Sequence, residues 1–229
     1  MYEIFTTIAK KYERFNAFSS FGTYKLWLKN MIKMCPANNN SKVIDIAGGT
    51  GDVSFALARK KKPAHIELTD FVPAMLDVAK AHYADGKGCG VRFNFAEVDA
   101  QDMPYEDNSF DVATMAYGIR NIPDRTKALR EINRVLKPGG ALVCLEFSTP
   151  TTKFMASVFN WYLVNIIPFW GKIITGNKDG FVYLGKSIKS FPDQEGLAKM
   201  FEECGFANVS WKNQTFGIAA IHCGTKPNN

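Results

Sequence analysis

The chain has 229 residues, 46% of them hydrophobic and 22% charged, a balance that excludes disorder and a coiled coil and fits one sizeable globular domain. No apolar stretch reaches the roughly 18 uninterrupted residues of a membrane span. The net charge of +6 is concentrated at one end: residues 1–42 hold seven Lys/Arg against two Glu, and the remainder is nearly neutral.

Ile4, Phe5, Ile8, Tyr12 and Phe15 recur at helical spacing with Lys10, Lys11 and Arg14 between them, which predicts an amphipathic helix. A second helix is predicted over 23–35, with Tyr24, Leu28 and Met31 inward. Lys25, Lys29 and Lys33 share its other face, which reads as solvated or as a contact for an anionic surface. Pro36 and the run 38–41 mark a linker. From Val43 strands alternate with helices. Strands are expected at 43–47, 66–69, 92–98, 110–116 and 141–147. Helices are expected at 52–62, from Pro73 to near Gly86, and at 124–137, where Pro138-Gly139-Gly140 ends the run. A further helix at 193–204 and late strands near 209–211 and 218–222 complete the tail. Such alternation predicts a parallel sheet covered on both faces.

Residues 151–190 fit no element of that pattern. Phe159, Trp161, Tyr162, Phe169 and Trp170 crowd the segment, while Asn160, Asn165 and Pro168 interrupt it. It reads either as ordinary core or as a lid over an apolar substrate. The start, Met1-Tyr2-Glu3, lacks the pattern of a secretory signal, so a cytoplasmic location is expected. The five cysteines form no CxxC pair, so neither a disulfide framework nor a metal site is expected. A dense basic stripe interleaved with aromatics is absent, and no nucleic-acid partner is expected.

The first strand runs into Gly48-Gly49-Thr50-Gly51-Asp52, a turn whose backbone N–H groups a ligand can approach closely. As a dinucleotide fingerprint it lacks the third glycine, Ser54 standing in its place. Asp70 closes strand two, where a carboxylate can accept two hydrogen bonds from a ribose diol. Further carboxylates lie at Asp45, Asp52, Asp99 and Asp102. They suit a cofactor with an ammonium and a sulfonium better than one with two phosphates, so S-adenosyl-L-methionine fits and NAD does not.

These residues carry a family resemblance. Residues 43–52 resemble the glycine motif of class I S-adenosylmethionine-dependent methyltransferases. The runs Tyr117-Gly118-Ile119-Arg120-Asn121, Arg134 through Gly140 and Leu145-Glu146-Phe147-Ser148 are similar to those of the ubiquinone/menaquinone biosynthesis C-methyltransferases. The likeness extends from Lys11-Tyr12 to Gly217 through His222. It implies an α/β, Rossmann-like fold with a mostly parallel seven-stranded sheet, helices on both faces and N-terminal helices. Residues 1–42 would cover the substrate site of a domain spanning 43–229, with a lid-like insertion at 151–190. Cofactor contacts are implied at Thr50, Asp70, Asp99 and Ala100, beside Gly48 of the turn. The substrate implied is a polyprenyl quinol methylated on carbon, with Tyr117 and Arg120 facing it. Three positions depart from the family pattern: Ala116 replaces a common Ser, Glu13 a common Asp, and Gly180-Phe181 the usual Ser-Tyr.

Carbon attacks only once the neighbouring hydroxyl loses its proton, so some group must accept that proton. Arg120 cannot do so near neutral pH and is cast as a stabiliser of the developing phenolate, or else as the partner of Asp124 or Glu146. Glu146 reads as a base or a cap, and His222 as structural. A polyprenyl tail would draw the protein to the membrane surface, with 154–174 lining a channel. A nicotinamide oxidoreductase, a noncatalytic subunit of a quinone-biosynthesis assembly and a methyltransferase of other small molecules are the rival readings. Benzoquinol or naphthoquinol, and monomer or homodimer, stay open.

Overall fold

The computed structural model describes residues 22–167 and 179–228, with backbone alone for 179–183. The helix expected over Ile4–Phe15, and Phe169 and Trp170, lie outside the described residues. Parallel strands require crossovers, and helices supply them here. Strands β1 (Lys42–Asp45), β2 (His65–Asp70), β3 (Arg92–Glu97), β4 (Phe110–Ala116) and β5 (Leu136–Phe147) pair in parallel in the order β3-β2-β1-β4-β5. β6 (Ala207–Gln214) and β7 (Ala219–Thr225) complete the sheet antiparallel, β7 on β5 and β6 at the edge.

Helix α1 (Thr23–Met34) precedes the sheet. Between strands run α2 (Asp52–Lys60), α3 (Pro73–His82) and α4 (Arg125–Val135), followed after β5 by α5 (Lys153–Trp161), α6 (Asp179–Lys189) and α7 (Gln194–Glu203). Their starts follow local chemistry. Pro73 takes the first position of α3, while Asp124 accepts the Lys127 N–H at 2.9 Å and Asp193 that of Gly196 at 2.8 Å, capping α4 and α7.

Alternation along the strands sends side chains to two cores. Val43, Ile66, Val112, Val143 and Ile221 pack with Trp27 and Met31 of α1 and Leu57 of α2. On the opposite face Ile44, Ala113, Met115 and Leu142 meet Leu129 and Ile132 of α4 and Phe201 of α7.

Several boundaries differ from expectation, most at β5 and in the last two strands. Helix α4 ends at Val135 and β5 starts at Leu136, which pairs with Phe110. A residue preceding proline is pushed out of helical geometry, so Pro138 ends the helix earlier than a glycine signal would. β6 and β7 are longer than the runs 209–211 and 218–222, because most of β6 is exposed and offers little hydrophobic pattern.

The aromatic insertion divides its side chains. Phe159, Leu163 and Ile167 join Ile188 in a small cluster against Phe147 and Ile218, while Phe154, Val158, Trp161 and Val164 are exposed. Among the described residues no helix is long and apolar enough to cross a membrane.

Asp45 fixes the base of the glycine turn. Fully buried, it accepts the Ser54 hydroxyl of α2 at 2.6 Å and the Thr114 hydroxyl of β4 at 2.7 Å. Burial lifts its carboxyl from 3.8 to about 6 despite both bonds. The native chain therefore holds more protons between those values. The stability this provides is complete below about pH 4 and lost as pH rises through 6. Asp45→Asn removes the titration, so the unfolding free energy of the wild type relative to the variant should fall by about 2 kcal/mol between pH 4 and pH 7. Urea melts of both proteins measure it, and a pH-independent difference would show that the carboxyl titrates normally.

Candidate active site

At the carboxyl edge of the sheet the turns after β1, β2, β3 and β4 surround a cavity of about 460 Å³. Ala47, Gly48, Gly49 and Thr50 come from the first turn. Asp70, Phe71, Val72 and Met75 follow from the second, and Val98, Asp99, Ala100 and Gln101 from the third. Ala116, Tyr117, Gly118, Asn121, Ile122 and Pro123 form the fourth wall, and Tyr24 and Leu28 of α1 close it.

The first two turns are tied together. The Gly48 N–H donates to the Thr69 carbonyl at 2.8 Å. Gly49, at φ +58°, donates its N–H to Asp70 Oδ2 at 2.9 Å, while Asp70 Oδ1 accepts the Val72 N–H at 2.9 Å. Burial raises the Asp70 carboxyl, and these N–H groups oppose the rise. A carboxylate offers about four acceptor sites, so the group can hold the backbone and still accept from a ligand hydroxyl. Asp99 accepts the Gln101 N–H at 2.9 Å and the Gln101 side-chain amide at 3.0 Å. Thr50 and Ala100 are buried beside them.

Charge discriminates between ligands. Three carboxylates, Asp52, Asp70 and Asp99, line the cavity, and among the described residues no Lys, Arg or His does. A cationic ligand gains from such walls and a pyrophosphate loses. Gly48 and Gly49 line the cavity where side chains would not fit: a Cβ at Gly48 would meet Asp45 and Leu68 at 3.1 Å, and one at Gly49 would meet Met75 at 3.2 Å. The donor set and the carboxylates thus fit a sulfonium nucleoside.

Several expected residues stand elsewhere. Asp45 lies beneath the turn, bonded to the Ser54 and Thr114 hydroxyls, and Asp102 turns its N–H to the Asp99 carbonyl at 3.0 Å; neither lines the cavity. Tyr117 does, but Arg120 does not. Its side chain, 4% exposed, gives Nη1 to Glu146 Oε1 at 2.6 Å and to the Tyr117 carbonyl at 2.7 Å. Glu146, 1% exposed, also accepts the Phe147 N–H at 2.8 Å and the Arg120 N–H at 3.3 Å. It does not reach the cavity, and the reading of Glu146 as proton acceptor is set aside. His222 stacks on Trp211 and faces the Gln194 carbonyl with Nε2 at 2.9 Å, and burial lowers its pKa; it is structural. Tyr24, Leu28, Phe71, Met75 and Gln101 were not expected at the site. Phe71 carried a signal, since a phenylalanine directly after a strand-end Asp and 56% exposed has little reason to be there in a core.

The order of the strands, the glycine turn and the acidic cavity define a Rossmann-like, S-adenosyl-L-methionine-dependent methyltransferase. The model of the ubiE/COQ5 methyltransferase family matches residues 1–226, and the chain belongs to that family. It is 40% identical over 226 residues to the ubiquinone/menaquinone biosynthesis C-methyltransferase UbiE of Cellvibrio japonicus, covering 98% of this chain and 90% of that protein. The fold is similar to that of a possible histamine N-methyltransferase from Thermotoga maritima, at TM-score 0.67 and 21% identity over 99% of both chains. It is also similar to the phosphoethanolamine N-methyltransferase 2 of Haemonchus contortus solved with S-adenosyl-L-methionine, at TM-score 0.65 and 16% identity, covering 90% of this chain and 53% of that one.

Gly51 sits at φ +93°, and a Cβ there would meet the Phe55 ring of α2. Gly51→Ala should lower the unfolding free energy by about 1–3 kcal/mol, read as a lower urea midpoint with an unchanged slope. An unshifted midpoint would show that the turn relaxes freely.

Proposed function

We propose that the chain methylates a ring carbon of a demethylated polyprenyl quinol, a benzoquinol or a naphthoquinol. The observation that carries this reading is the division of the cavity. Carboxylates stand on the turns after β1, β2 and β3, while α1 and the turn after β4 offer Tyr24, Leu28, Ala116, Tyr117 and Ile122. The naming of the UbiE relative supports the same substrate.

S-adenosyl-L-methionine, when bound, supplies an electrophilic methyl group on a positively charged sulfur. Asp70 would hold its ribose hydroxyls, with Gly48, Thr50, Asp99 and Ala100 completing the contacts. Ala116 offers no hydroxyl, so this position contributes packing alone. Tyr117 would bear on the quinol ring. Arg120 is a buried cation behind that wall, and its Nε has no hydrogen-bond partner among the described residues. As the quinol hydroxyl gives its proton to water, negative charge develops on the near side of the wall from a preorganised guanidinium, which would favour it. Close packing around both reactants would supply much of the remaining acceleration by holding carbon and methyl in line.

Residues 1–42 would cover the acceptor, a role for which Tyr24 and Leu28 in the wall give support, and 151–190 would serve as a lid. Lys25, Lys29 and Lys33 are exposed on α1, and Phe154, Val158, Trp161 and Val164 are exposed on the insertion. We assign these to peripheral contact with an anionic bilayer, the source of the substrate.

Incubation with methyl-labelled cofactor and both ring types, followed by mass spectrometry of the lipid extract, should yield a product heavier by one labelled methyl on carbon. Label on oxygen, or in neither quinol, overturns the assignment. Asp70→Ala should weaken cofactor binding about 100-fold in calorimetry, the loss of two hydrogen bonds to a charged group. Unchanged affinity would remove Asp70 from the site. Neutralising Lys25, Lys29 and Lys33 together should reduce sedimentation with vesicles containing anionic lipid, and undiminished sedimentation would exclude the headgroup contact.

A further inference from the structure

Tyr117 is the first residue past β4, and its backbone sits in the left-handed region at φ +58°. A bulky side chain stays there only when its surroundings over-determine it. Two donors converge on its carbonyl, Arg120 Nη1 at 2.7 Å and Asn121 Nδ2 at 3.2 Å. Its own N–H donates to the Leu145 carbonyl of β5 at 2.8 Å. The Arg120 guanidinium is in turn held by Glu146 Oε1 at 2.6 Å, and Glu146 Oε2 accepts the Arg120 N–H at 3.3 Å. The ring of Phe147 packs 5.2 Å from that of Tyr117, with the guanidinium carbon 5.4 Å from the Phe147 ring and 5.9 Å from the Tyr117 ring.

We propose that Glu146 is a positioning residue which, acting through Arg120, locks the strained Tyr117 backbone and so aims Tyr117 and Asn121 at the methyl acceptor. The proposal rests on the methyltransferase reading of this cavity. Tyr117 and Asn121 line the cavity, and Arg120 and Glu146 do not, so the pair acts on the wall from behind. One carboxylate accepts donors from the end of β5 and from the turn after β4, joining two segments that share no helix. A buried ion pair adds little net stability over an apolar replacement, but it is directional. Take away the negative charge and the buried guanidinium has no counter-ion. It turns toward water, and the Tyr117 carbonyl loses its shorter bond. The wall then loosens where in-line transfer tolerates least displacement.

Glu146→Gln keeps the shape and removes the charge. Its folded state is checked by circular dichroism, and Glu146→Asp, with the charge retained on a shorter arm, serves if Glu146→Gln does not fold. The expected result is a fall in kcat of roughly tenfold or more, with cofactor affinity in calorimetry unchanged and the pH profile of kcat/KM keeping its shape. In protein labelled with 3-fluorotyrosine, the Tyr117 resonance, assigned by its loss in Tyr117→Phe, should shift or broaden while the other tyrosine resonances stay. An unmoved Tyr117 resonance overturns the proposal, as does cofactor affinity falling in step with kcat. Should the wild type methylate neither quinol, the reading of function fails, and the fluorine signal alone still decides whether Glu146 holds Tyr117.

Discussion

Everything at the site depends on β1 pairing in parallel with both β2 and β4. The chain leaves β1 toward α2, which packs on one face of the sheet, and leaves β4 toward α4, which packs on the other. Connections that part in this way cannot fill the space between them, and a crevice opens at the carboxyl ends of the two strands. The cavity is therefore a result of topology before any side chain is considered. Side chains decide only what it accepts.

The aspartates show how position turns one chemical group to different ends. Asp45 faces inward from β1 and accepts two hydroxyls, so it joins β4 and α2 under the turn. Asp70 is one strand over at the edge. It binds backbone N–H groups of the turns and lines the cavity. Asp99 is held by Gln101. The first pins the floor, and the other two face the cavity, where their charges favour a cation. Because the Gly49 N–H is bound by Asp70, the shape of the turn and the presence of the carboxylate are a single feature.

Much of this was legible in the residues. The segment 141–145, Ala-Leu-Val-Cys-Leu after the Pro138-Gly139-Gly140 turn, is a continuous apolar run, and that pattern belongs to a strand buried on both faces. The glycine turn and Asp70 were legible because their spacing is set by one strand–helix–strand unit, a local quantity. β6 was only partly legible: its side chains are mostly exposed, and it is held by pairing with β7, which no local pattern records. The direction of a side chain was equally hidden. Asp45 and Asp70 both end or nearly end a strand, and only the three-dimensional partners, Ser54 and Thr114 for one and Gly49 and Val72 for the other, separate floor from wall. Arg120 was expected at the cavity, yet its partner Glu146 is 26 residues away in sequence, and the sequence offered Asp124 equally.

The placement of Arg120 bears on how such a site can run without an ordinary base inside it. The cavity walls hold carboxylates, and they lie on the turns after β1, β2 and β3 rather than on the wall formed by β4 and α1. A guanidinium exposed in that wall would repel the cofactor's own charge. Buried behind Tyr117 and partly neutralised by Glu146, it exerts less repulsion on the bound cation. On the proposed reading it would still support a phenolate forming on the near side of that wall. On that reading, placing the cation one layer back would reconcile two demands that a single exposed arginine could not meet: tolerance of a positive donor before reaction and support of a negative acceptor during it.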